Sequence, residues 1–190
     1  MMKFVILLML FLPAAAFSKP LFIGDSLTFS LATSAKKHLS VEGLYKESTG
    51  LTDRSAVKWN EYVQTMSFQD YETVVISLGA NDGIGASQVT SYRHKAARFI
   101  RHIQQDNPSA SIVWVLPPAM KNPATEAALV NTREAIRQAV EETRISLFNP
   151  DIALGQGYAR DVGGVQVRTE DGIHYTNKGS DLIIRALMGQ

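Results

Sequence analysis

Apolar positions in this chain follow two alternating rhythms. Short unbroken runs occur at 21–23, 73–78, 111–116 and 145–148, with a weaker one at 44–47. Continuous runs rich in β-branched residues are what strands need when both faces are covered. Between them the apolar residues recur three and four apart. Leu31, Ala35 and Leu39 mark a helix over 28–39, and Val57, Tyr62 and Met66 one over 54–66 with Asp53 as its N-cap. Val89, Tyr92, Ala96, Phe99, Ile100 and Ile103 form the buried stripe of a long helix over about 88–106, stopped by Asn107-Pro108. Leu129, Ile136 and Val140 mark another over 124–143, and 177–188 closes the chain. Strands alternating with helices predict an α/β fold with a five-stranded parallel sheet wrapped on both sides. No repeat, low-complexity tract or linker divides it.

The first twenty residues, MMKFVILLMLFLPAAAFSKP, obey neither rhythm. Lys3 precedes an apolar stretch from Phe4 to Leu12, Pro13 ends it, and small residues follow. This is the layout of a secretory signal peptide over 1–18, cleaved within 16–19, with a domain over 19–190. The run to Phe17 is shorter than the ~20 residues a spanning helix needs. The mature product is therefore expected in the periplasm or medium, with no stable membrane insertion.

Composition narrows the possibilities further. The 190 residues are 45% hydrophobic and 19% charged, which fits one globular domain. Nineteen basic against eighteen acidic residues give a net charge of +1, and the signal removes one lysine and no acid. Nothing in that balance calls for nucleic acid. The absence of cysteine excludes disulfides, thiolate catalysis and cysteine metal sites.

In a parallel sheet, ligands bind beyond the carboxyl ends of the strands. The predicted strands end in Gly24-Asp25-Ser26-Leu27, Thr49-Gly50-Leu51, Gly79-Ala80-Asn81-Asp82 and Pro117-Pro118-Ala119-Met120, with Asp171-Gly172-Ile173-His174 near the C-terminus. Acyl transfer needs a nucleophile, a base, a group orienting that base and donors for the oxyanion. Ser26 fits the first role, His174 the second and Asp171, three residues earlier, the third. The Ser26 and Gly50 backbone N–H groups and the Asn81 amide suit the oxyanion. Each residue also has an ordinary reading: Ser26 as a helix N-cap, Gly50 and Asp171-Gly172 as turns, Asn81 and Asp82 as a turn and cap before the long helix, and Asp25 as a turn residue. The joint occurrence of these residues, in order and each at a strand end, favours chemistry. Arg93, His94, Lys95, Arg98, Arg101 and His102 on the long helix read as a solvated face in preference to one that meets anionic envelope polymers. Trp59 and Trp114 read as core. Met120, Lys121, Asn122, Tyr158 and Arg160 stand where they could border a groove.

GDSL at 24–27, Gly50, GAND at 79–82 and DGIH at 171–174 together resemble the four signature blocks of the SGNH, or GDSL-type, hydrolases. The resemblance spans the whole mature chain. It implies a flavodoxin-like three-layer α/β/α sandwich and a cofactor-free, metal-free serine esterase. Ser26, Asp171 and His174 would form its triad, and Ser26, Gly50 and Asn81 its oxyanion hole. STGL, WVLPPAM and DGIHYTNKG look most like an exported bacterial branch whose relatives include envelope carbohydrate O-acyl esterases. The implied substrate is a small ester or an acylated glycan, with a short acyl group such as acetyl; the sequence does not fix the oligomeric state, for which a monomer is the default. A lysophospholipase or thioesterase of broad chain range, and a non-catalytic glycan-binding protein that kept the site, are the other readings.

Overall fold

The computed structural model describes residues 19–52 and 54–189. The segment read as a signal, and Asp53 with its expected capping role, lie outside the described residues. Five parallel strands form the central sheet: β1 (Pro20–Gly24), β2 (Glu42–Tyr45), β3 (Thr73–Ser77), β4 (Ser111–Val115) and β5 (Ser146–Phe148). Their order is β2-β1-β3-β4-β5. The chain steps outward from β1 to β2, then returns to β3 and continues the other way. The β1/β3 junction is therefore the topological switch point, where a crevice opens at the strands' carboxyl ends.

The pleat sends alternate residues into two cores. Leu21 and Ile23 of β1, Val74 and Ile76 of β3, and Trp114 of β4 face α3 (Val89–Asp106) and α4 (Pro123–Thr143). Phe22, Val75 and Val115 face α1 (Ser26–Ala35) and α6 (Asn177–Leu187). These are the three layers the alternating pattern predicts. Both tryptophans are buried as expected, and each indole N–H finds an oxygen, Trp59 at Thr49 Oγ1 and Trp114 at Leu78 O. Among the described residues no helix is long and apolar enough to cross a membrane.

Three stretches depart from the sequence expectation. The helix expected over 54–66 contracts to α2 (Trp59–Tyr62) and a 3-10 turn at Val63–Thr65. Ser55 explains why: its N–H bonds Thr52 O and its hydroxyl accepts Gly50 N–H, so the segment braces a neighbouring loop instead of continuing a helix. A short helix, α5 (Asp151–Leu154), follows β5. An antiparallel hairpin, β6 (Asp161–Val162) and β7 (Val165–Gln166), then occupies part of the stretch read as a long loop.

Candidate active site

β1 and α1 join within two residues, and that sharp junction determines what Ser26 can do. Asp25 is the N-cap of α1, its Oδ1 accepting Leu27 N–H at 3.0 Å. Ser26 is thus the first helical residue and not the cap. Its hydroxyl is not engaged by the helix, and its N–H has no intrahelical acceptor. Asp25 itself is fully buried, and its Oδ2 lacks a well-aligned partner. Burial pushes its carboxyl up to about 7; the Leu27 and Ala80 amides oppose that rise and the Asp82 charge adds to it.

His174 Nε2 lies 2.9 Å from Ser26 Oγ, and His174 Nδ1 lies 2.7 Å from Asp171 Oδ2. With Nδ1–H donating to the carboxylate, the neutral ring presents Nε2 as acceptor, so the Ser26 hydroxyl donates to it. The other Asp171 oxygen organises its own turn. Oδ1 accepts Ile173 N–H at 2.7 Å, His174 N–H at 3.0 Å and the Thr169 hydroxyl at 2.6 Å. Partial burial would raise the Asp171 pKa, but these hydrogen bonds outweigh it and hold the group well below the usual carboxylate range. Gly172 completes the turn at φ +70°, where a Cβ would overlap the Lys121 side chain.

A buried arginine carries this turn from behind. Arg168 is 2% exposed, and one of its Nη groups donates to Ile173 O at 2.9 Å and Gly172 O at 3.3 Å. Its guanidinium lies 5.5 Å from the Tyr158 ring centre and 5.2 Å from that of Tyr175, and burial lowers its pKa. The loop after β4 is joined to the same turn through Lys121 N–H on Gly172 O. That loop is pinned by Arg133, which pairs with Glu126 and donates to Pro117 O and Pro118 O. Met120 is buried beside Arg168, so it belongs to this support and not to an open groove.

On the other side of the switch point, Asn81 donates one amide N–H to Thr49 O at 2.9 Å. Its second N–H remains for a ligand. Gly50 N–H instead donates to Ser55 Oγ at 3.0 Å, so in this conformation the expected third oxyanion donor is already engaged. Asp82 is not a helix cap: α3 begins at Val89, and Asp82 is buried. Its carboxylate accepts Leu51 N–H at 2.6 Å, Thr52 N–H at 3.2 Å and the Tyr92 hydroxyl at 2.8 Å. A Cβ at Gly50 would run into that carboxylate, which is why glycine is required there. Ser55 and Arg168 are supporting residues that the sequence did not single out, and Asp82 and Tyr92, read as a cap and as part of an apolar stripe, take a supporting role instead. Among the described residues no group of three or more His, Asp or Glu side chains converges as a metal site would require.

The arrangement joins a hydroxyl, an imidazole and a carboxylate in series, beside two N–H groups able to receive an anion. A family model for a protein of unknown function, DUF459, matches residues 19–190. No curated protein matches the chain in sequence. Among solved structures, one from Desulfitobacterium hafniense, of the G-D-S-L family, shares 14% identity at a TM-score of 0.67, covering 90% of this chain and 97% of that one. Est24, a carbohydrate acetylesterase from Sinorhizobium meliloti, shares 12% at 0.59, with 90% and 96% covered. A peptidoglycan O-acetylesterase shares 19% at 0.57, with 78% of this chain and 45% of that one covered. The sheet order and flanking layers are those of the GDSL-type hydrolase fold.

Proposed function

The chain belongs to the DUF459 family, and from its site we propose that it is an exported serine ester hydrolase that removes short acyl groups, acetyl foremost, from envelope or extracellular glycans. The observation that carries this reading is the unbroken series Ser26–His174–Asp171, at 2.9 and 2.7 Å. Ser26 Oγ attacks the ester carbonyl as its proton passes to His174 Nε2. Asp171 holds the ring by Nδ1 and stabilises the imidazolium. The negative oxygen of the tetrahedral intermediate receives the Ser26 N–H and the free Asn81 N–H; Gly50 N–H joins them when it leaves Ser55. The alcohol departs with the proton from His174. Water then attacks the acyl-serine, with His174 again the base, and the acid is released.

The site's openness supports the short acyl group. The His174 and Asp171 side chains are 40% and 46% exposed, which suits a decoration on a bulky polymer better than an enclosed long chain. The likeness to Est24, a carbohydrate acetylesterase, points the same way. Export follows from the sequence of 1–18. The N-terminus of protein recovered from the producing cell is expected between residues 17 and 20, and a retained Met1 would contradict export by cleavage.

Hydrolysis of p-nitrophenyl acetate, octanoate and palmitate tests the chemistry and the chain length together. Acetate should be turned over fastest. Ser26→Ala should lose activity while remaining folded, and Asn81→Ala should lower kcat by about 10²–10³-fold. Full activity in Ser26→Ala, or a preference for palmitate, would overturn the reading.

A further inference from the structure

Two exposed aromatic rings stand beside the candidate nucleophile. Phe29 follows Ser26 by three residues on α1, which puts their Cβ atoms about 5–6 Å apart on one side of the helix. Tyr45 ends β2, where it stands in register with Gly24, two residues before Ser26. Lys46 N–H donates to Gly24 O at 3.0 Å and holds that end of the strand against β1. The two rings meet at 5.1 Å between centroids, tilted by 51°. Phe29 is 50% exposed and Tyr45 40%. Other aromatic pairs among the described residues, Trp59 with Tyr62, Phe68 with Tyr71 and Phe99 with Trp114, each contain a buried ring and so extend the core. The Phe29–Tyr45 pair lies on the surface instead.

A single exposed apolar side chain is ordinary, but two stacked rings beside a nucleophile make a contact surface. Its rim is polar: Lys46, Glu47 and Ser48 follow Tyr45, and all three are exposed. An acyl chain needs walls that enclose it, and this platform is open. A pyranose ring suits it. When the ring's substituents are equatorial, its axial C–H groups gather on the two faces, and their partial positive charge is drawn to the negative face of an aromatic ring. The equatorial hydroxyls then reach outward to the polar rim. We infer that Phe29 and Tyr45 form a stacking subsite for a gluco-configured pyranose of the acylated glycan. This deepens the esterase reading and rests on it. A sugar seated here lies beside Ser26, so its binding energy holds an acyl substituent at the nucleophile.

Cellotetraose, an all-equatorial glycan without an ester, tests the subsite apart from catalysis. It is titrated into the mature protein while the Phe and Tyr ring signals are followed by proton–carbon NMR. The Phe29 and Tyr45 signals should shift and saturate. Phe29→Ala/Tyr45→Ala should weaken binding at least fivefold, read from the Lys46 amide. Tyr62→Ala, which removes a similarly exposed ring from α2, should alter it less than twofold. No shift of the two rings, an equal loss in Tyr62→Ala, or saturation by sodium octanoate at a lower concentration than by cellotetraose would each overturn the inference, the last by making the platform an acyl-chain surface. Because this sugar carries no ester, absent p-nitrophenyl acetate hydrolysis would sink the esterase reading alone, and absent cellotetraose binding the subsite alone.

Discussion

Ser26 owes its free hydroxyl to the residue before it. Asp25 supplies the cap that α1 needs, so the serine can turn toward His174 instead of toward its own helix. The cost is a carboxyl with no solvent exposure, pushed up to about 7 by burial. The sign follows from linkage. A folded-state pKa above the unfolded value of 3.8 means the folded protein holds this proton more tightly, so the group favours folding most below pH 3.8. That contribution is lost as pH rises toward 7, in total about 4 kcal/mol at 1.36 kcal/mol per unit. Asparagine caps helices as well as aspartate does and carries no charge. Between pH 4 and 8, urea denaturation should therefore show Asp25→Asn gaining on the native protein by up to about 4 kcal/mol. A difference that does not vary with pH would contradict this account of Asp25.

At the scale of elements, two loops meet at the switch point, and each is held by one buried ionic side chain. Asp82 holds the Gly50 loop through Leu51, Thr52 and the Tyr92 hydroxyl from α3. Arg168 holds the His174 turn through two carbonyls. Tyr92→Phe keeps the packed ring and removes one bond to a buried carboxylate, a loss of about 1.5–3 kcal/mol. Thermal or urea unfolding should register that loss, and an unchanged midpoint would show that Asp82 does not depend on Tyr92. The strands and long helices were legible because their patterns are periodic, and the signature blocks because they are local. Asp82 was legible only as part of its block, since the Leu51 and Thr52 amides it holds lie in another segment that only folding brings near. Ser55 and Arg168 bond groups close by in the chain, but in irregular loops that carry no periodic pattern to announce them. Tyr92 stood openly in the apolar stripe of α3, but the stripe gives no hint of what its hydroxyl reaches. The β6–β7 hairpin did carry a local signal, Gly163-Gly164 between two valines, which is a two-residue hairpin turn. The shortened helix at 54–66 is the reverse case, a helical spacing overridden because Ser55 is bonded to the Gly50 loop.

Across the whole molecule, the three layers act as a mount for a small exposed site. The sheet brings Ser26 from the end of β1 beside Asn81 from the end of β3, and α6 packs the turn bearing His174 against α1. The remaining chemistry depends on one claim, that His174 and Asp171 make the Ser26 hydroxyl nucleophilic. A fluorophosphonate probe tests it most directly, since it forms a bond only with an activated serine. Peptide mapping of the native, folded protein after brief exposure should find one modified residue, Ser26, with the label lost in His174→Ala. An unlabelled Ser26 in the native protein, or equal labelling without His174, would contradict the account.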